Sequence, residues 1–135
     1  MTDETPTKVI HIAAAVVTDD AGRLLVVRKR GTTAFMQPGG KIDAGESASA
    51  ALRREISEEL GVTVVEGSVH HLGTHVAPAA NEPDHLVHAD LFRVKLRGEP
   101  RAGAEIDELS WIDPLAPGAI ELAPLTEHTV LGLVG

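Results

Sequence analysis

Apolar and polar positions along the chain follow two rhythms, one of strands and one of a helix. KVIHIAAAVV (Lys8–Val17) is a run of β-branched and small apolar residues. TDDAGR (Thr18–Arg23) follows with the Asp and Gly chemistry of a turn. Leu24–Arg30 (LLVVRKR) reads as a second strand, and the short link predicts a hairpin between the two. GTTAFMQPGGK (Gly31–Lys41), punctuated by Pro38, Gly39 and Gly40, reads as a loop. From Glu46 to Leu60 the rhythm becomes helical: Ala48, Leu52, Ile56 and Leu60 form one stripe, and Gly61 is a C-terminal stop. Ser68–Ala77 and His85–Leu96 read as two further strands separated by a Pro- and Asn-containing loop, with LSWID (Leu109–Asp113) as a short third. Ile120–Leu133 reads as a helix with Pro124 near its start. Strands and helices mix without a regular βαβ repeat, so the fold class is α+β, a mixed sheet with helices on its faces. There is no internal repeat or linker, and residues 1–135 read as one domain.

Charge narrows the set of partners. The formal net charge is −8, which disfavours a nucleic-acid duplex or an anionic membrane surface but leaves room for a small phosphorylated ligand. Cysteine is absent, so there is no disulfide framework and no thiolate chemistry. MTDETPTKVI lacks the apolar core of a secretory leader, and no apolar run reaches the ~18–20 residues of a membrane span. The expectation is a cytoplasmic protein.

The helix carries an oddity. REISEEL (Arg54–Leu60) crowds Glu55, Glu58 and Glu59 at positions i, i+3 and i+4, where like charges destabilise a helix by roughly 0.2–0.5 kcal/mol per pair. The three share a face beside the apolar stripe, along the edge where the helix meets the sheet. Such a cluster suits a hard divalent cation, Mg²⁺ or Mn²⁺, which would remove the repulsion. Arg54 stands four residues before Glu58 and can steady it. Gly39 and Gly40 let backbone approach a ligand closely, and a carbonyl there can join an oxygen shell. The alternative reading of three acidic residues alone is a solvated helix face.

Gly40, Glu46 and the run from Arg54 to Val62 together resemble the Nudix box, with every fixed position filled. Matching seven identities and two apolar positions by chance has a frequency on the order of 10⁻⁹ per start site. The strand order around the box also resembles the Nudix fold, a mixed sheet sandwiched between helices (α/β/α). The resemblance implies Mg²⁺- or Mn²⁺-dependent hydrolysis of a nucleoside diphosphate linked to another group, by attack of water on phosphorus. It implies that Glu55, Glu58 and Glu59 bind metal and supply the base, that the Gly39 carbonyl is a further ligand, and that Glu46 pairs with Arg54. Glu55 is our preferred base, with Glu58 and Glu59 mainly on metal. In some relatives the base comes from a later loop, for which Glu105 and Glu108 are the candidates here. A homodimer is an expectation from the resemblance alone.

Around this core the remaining candidates are weaker. Arg28, Lys29 and Arg30 end a strand; Arg28 is our candidate phosphate contact, together with Lys41 in the box loop, against the alternative of solvated charges. Phe35 and Trp111 are the candidate stacking partners for a base in a chain with two Phe, one Trp and no Tyr. His70, His71, His75, His85 and His88 suggest zinc only weakly, because neighbouring strand residues face opposite ways. The compact size resembles MutT-like members acting on nucleoside triphosphates, including oxidised ones. The missing tyrosine disfavours diadenosine polyphosphates, and a proline-rich signature of the NADH group is missing. Pro78 keeps ADP-ribose or another nucleoside-diphosphate sugar as the second reading. A Nudix-fold sensor that binds without cleaving is the reading from a different class, although such modules usually lose box carboxylates. Gln37 departs from the apolar residue many relatives carry before Pro-Gly-Gly, and puts the usual packing of that loop in question.

Overall fold

The computed structural model describes residues 8–134, so the ends of the 1–135 domain and most of the segment read as lacking a leader lie outside the described residues. Strand β1 (Lys8–Val16) is the centre of a four-stranded mixed sheet. It pairs antiparallel with β3 (Gly39–Lys41) and parallel with β6 (His85–Arg93), and β6 pairs antiparallel with β5 (His70–Pro78). A second ribbon joins β2 (Leu24–Lys29) to β8 (Ile106–Ile112), and a short pair joins β4 (Thr63–Val64) to β7 (Leu96–Arg97). Helix α1 spans Ala48–Leu60, and a π-helical turn, Thr126–Val130, runs into the short α2, Leu131–Val134. None of the described helices is long and apolar enough to cross a membrane.

Alternation along β1 and β2 divides the core into two layers. Ala13 and Ala15 join Leu25 and Val27 beneath Leu52, Ile56 and Leu60 of α1. Ala14 and Val16 join Leu24 and Val26 beneath Leu125 and Val130 of the C-terminal segment. Period-two side chains thus cover both faces of the strands, and the predicted α/β/α sandwich is observed. Burying each of the larger aliphatic side chains stabilises the fold by about 1.5–3 kcal/mol. The small alanines of β1 leave room for helical packing on both sides.

Three local expectations are corrected. First, β1 and β2 do not form a hairpin. Both edges of β1 are already occupied by β3 and β6, so β2 leaves after one bridge, Thr18–Leu24, and pairs with β8 instead. The turn itself is built as its residues suggest, with Asp19 Oδ1 accepting from the Ala21 and Arg23 amides at 3.0 and 2.8 Å. Second, Gly39–Lys41, read as loop, is a strand, because pairing with Ala14, Ala13 and Ile12 outweighs glycine's poor strand preference. Third, the C-terminal helix begins later than Ile120. The Glu121 carbonyl accepts from Phe35 N–H and Ala123 N–H donates to Phe35 O, both at 2.8 Å, which holds that stretch extended up to Pro124.

Candidate active site

Helix α1 is well delimited. The Ser47 side chain accepts from Ala50 N–H at 3.1 Å, and Gly61, at φ 66°, closes the other end with its N–H on Ser57 O. Leu52, Ile56 and Leu60, all fully buried, fix its rotation against the sheet. At about 100° per residue, Glu59 then lies roughly 60° from Ile56, Glu55 about 100° and Glu58 about 160°. Burial follows that order. Glu59 is only 5% exposed, the Glu55 side chain 17% and the Glu58 side chain 54%.

Glu59 reaches the glycine turn directly: Gly39 N–H donates to its Oε1 at 3.1 Å. Burial pushes its carboxyl up to about 7, against the pull of the Gly39 amide and the charge of Lys29, while neighbouring Glu55 pushes further upward. Glu55 lies over Gly40, where a Cβ would come within 2.5 Å of its Cδ. Arg54 fastens this arrangement. Its Nε and Nη2 each bond Glu46 at 2.9 Å, its Nη1 bonds Glu55 at 2.8 Å, and Nη2 also reaches Lys41 O at 3.1 Å. That fork holds the Glu46 carboxyl down at about 2 and raises the guanidinium's own pKa. The predicted Glu46–Arg54 tie between loop and helix is therefore present.

Glu58 stands apart. It turns to solvent with Arg54 Nη1 3.8 Å away, and among the described residues no three His, Asp or Glu side chains converge as a metal-binding group. The pair Glu55–Glu59 still fits a divalent cation. A buried carboxyl that resists ionising beside a second carboxylate is a site that a hard cation would relieve.

A cleft opens on the other side of β3, lined by Gly39, Gly40 and Lys41 at one end and Asn81 and Glu82 at the other, over an aliphatic floor that includes Ile12 and Val87. Lys41 and Pro78 are both in its lining. Arg28 does not line it. Asp107 and Glu108 hold its guanidinium at 3.0 and 3.2 Å, and it sits 5.9 Å above the Phe35 ring. Phe35 is buried in the layer beneath the C-terminal segment, and Trp111 packs against the α1 layer. Among the described residues the cleft wall carries no aromatic ring. Glu105 and Glu108 are exposed and stand outside the cleft lining.

Two residues noted in the sequence take places there that the sequence did not assign them. Lys29, not Arg28, lines the cleft and acts on Glu59. The signal was available, since Lys29 continues the Leu25–Val27 face, the face toward α1. Gln37 is 5% exposed, with its Nε2 on Ala15 O at 3.0 Å; its departure from the relatives' apolar residue marks the position, while the buried partners of its amide are visible only in the fold.

The raised carboxyl of Glu59 makes a stability prediction. Its folded-state value, about 7, exceeds the ordinary 4.5, so the folded state holds the proton more tightly than the unfolded chain. The metal-free protein should lose up to about 3 kcal/mol as pH rises from below 4.5 through 7. Urea unfolding at pH 5 and pH 8 measures this, and Mg²⁺ should restore stability chiefly at pH 8.

A NUDIX domain family model matches residues 9–129. An 8-oxo-dGTP diphosphatase of Haemophilus influenzae is 33% identical over 67 residues, 47% of this chain and 49% of that protein. An ADP-ribose pyrophosphatase of Methanocaldococcus jannaschii is 27% identical over 109 residues, 77% of this chain and 63% of that protein. The chain thus spans less than two thirds of both curated relatives' own length. A crystal structure of a MutT NUDIX hydrolase from Burkholderia pseudomallei superposes with TM-score 0.77 at 23% identity, over 95% of this chain and 99% of that one.

Proposed function

The chain belongs to the Nudix family, and from that premise we propose that it hydrolyses a pyrophosphate bond of a nucleoside diphosphate derivative with Mg²⁺ or Mn²⁺, its foremost substrate a nucleoside triphosphate, oxidised forms included. The observation that carries the reading is the meeting of Glu55 and Glu59 at Gly39–Gly40, where the cleft and Lys29 end. Glu55 and Glu59 would hold the cation, with Glu58 and the Gly39 carbonyl as further donors. Bound there, the cation would supply charge neutralisation and water activation.

The chain's own groups do the rest. Lys29 and Lys41 meet the anionic phosphates. Glu55, aimed by Arg54, takes a proton from the attacking water. Arg54 and Glu46 keep the loop and helix from separating during turnover. The aliphatic cleft takes the nucleoside between Ile12 and Val87, without a stacking ring. The second reading, an ADP-ribose or nucleoside-diphosphate-sugar substrate, is favoured by Pro78 in the cleft lining and by the M. jannaschii relative's name.

A panel of nucleoside triphosphates, 8-oxo-dGTP and ADP-ribose, incubated with Mg²⁺ and with EDTA, tests the proposal through its products. The expected result is metal-dependent conversion of a triphosphate to monophosphate and pyrophosphate. Release of AMP and ribose phosphate from ADP-ribose alone would move the substrate to the second reading. Tight binding of one compound with no turnover of any would replace the enzyme by a sensor.

A further inference from the structure

Gln37 sits between the C-terminal segment and the glycine turn, and every polar atom of its amide has a partner. Nε2 donates to Ala15 O at 3.0 Å and leans toward Leu25 O at 3.5 Å, while Oε1 accepts from Thr126 Oγ1 at 3.1 Å. Two carbonyls on one side and a hydroxyl on the other fix which end of the amide is which. Thr126 is fully buried, so neither group can exchange its partner for water. It opens the π-helical turn Thr126–Val130, a distortion that helices often carry at functional sites.

The contacts continue past Gln37. Ala15, whose carbonyl takes the Gln37 amide, donates its own N–H to Pro38 O at 2.8 Å. The next residue, Gly39, donates to Glu59 at 3.1 Å. A buried path of hydrogen bonds and single backbone steps therefore joins the C-terminal helical turn to the carboxyl of Glu59. Gln37 and Thr126 also lie in the cleft wall, behind its exposed surface.

We propose that Gln37 and Thr126 are a positioning pair: their hydroxyl–amide bond holds the Pro38–Gly39 turn where the Gly39 amide meets Glu59. Removing the hydroxyl strands Gln37 Oε1 in an apolar slot. The amide then turns to find another donor, loosens from Ala15 O, and the turn shifts away from Glu59. This accounts for a polar residue at a position where the family resemblance leads one to expect an apolar one. The kinetic part of the test rests on the hydrolytic reading above, and the spectroscopic part does not.

The experiment compares Thr126→Ser, Thr126→Ala and Thr126→Val with Gln37→Leu. Serine and alanine both lose the Thr126 methyl and differ only by the hydroxyl oxygen, so their comparison stands even if the valine variant does not fold. In folded Thr126→Ala and Gln37→Leu, kcat should fall about tenfold or more with KM nearly unchanged, as misplacement of a reacting group predicts. Thr126→Ser should stay within about twofold of the parent. The Gly39 amide resonance should move in the alanine and leucine variants and not in the serine variant. The Gln37→Leu/Thr126→Val double variant should be no worse than the poorer single. Unchanged kcat and an unmoved Gly39 resonance in the folded alanine and leucine variants would overturn the pair, as would a serine variant as impaired as alanine. If the parent turns over no nucleotide, the hydrolytic reading fails, and the Gly39 resonance alone decides the positioning claim.

Discussion

Replacing Glu59 by Gln should abolish most turnover while leaving the metal-free protein more stable above neutral pH. The carboxyl is nearly buried and accepts the Gly39 amide, and a Gln oxygen can take over that bond. What the variant cannot do is ionise. Removing one essential charged group costs about 10²–10⁴ in rate, the range seen for acid–base and electrostatic contributions. Stability moves the opposite way, because at pH 8 the wild-type protein must keep an unfavourable buried anion and the variant need not. Up to about 3 kcal/mol would be recovered, the interval between about 7 and 4.5. Steady-state kinetics with Mg²⁺ and denaturant unfolding at pH 8 read the two effects. A variant both inactive and destabilised would make Glu59 a structural acid, and near-normal activity would remove it from the site.

Gly40→Ala should be the second severe lesion, with the fold largely intact. A Cβ at this position would lie 2.5 Å from Glu55 Cδ and 2.7 Å from each of its oxygens. Those atoms are the end of a flexible side chain, so Glu55 gives way and the backbone does not. Displacing a reacting group by about 1 Å is worth about 10²-fold in rate. Gly39→Ala makes the contrast. There the Cβ would meet Ala13 O at 2.1 Å and Ala14 Cα at 2.7 Å, backbone on a central strand, at φ +151°. That variant should fail to fold where Gly40→Ala folds and loses turnover. Melting temperatures of the two, set beside kcat for Gly40→Ala, test the distinction; equal loss of fold in both would contradict it.

Legibility in the sequence tracked the range of the interactions. Helix α1 was expected at Glu46–Leu60 and spans Ala48–Leu60, because its stripe, its Ser47 cap and its Gly61 stop are all local. The Glu46–Arg54 tie was legible through a spacing carried by the box, and it is made by two 2.9 Å bonds. Strand partners were not legible. Nothing in Leu24–Lys29 says that its edge is reserved for Ile106–Ile112, and nothing in two adjacent glycines announces a strand. A period specifies which face a residue takes but not what waits there. Arg28 carries the right charge, yet Asp107 and Glu108 hold it, while Lys29, on the face toward α1, is the cation whose charge reaches Glu59. Phe35 is legible as aromatic, while its burial depends on Leu125 and Val130 some ninety residues on. Glu58 shares a helix face with Glu55 and Glu59 in projection, but the stripe's rotation leaves it farthest from the sheet.

Binding of Mn²⁺ at pH 8, followed by the electron paramagnetic resonance signal of the free ion, tests the central claim most directly. The Glu55–Glu59 site predicts saturable loss of that signal, reversal by excess Mg²⁺, and affinity at least tenfold weaker in Glu59→Gln. A free-ion signal that the protein leaves untouched, or equal affinity in the parent and Glu59→Gln, would contradict it.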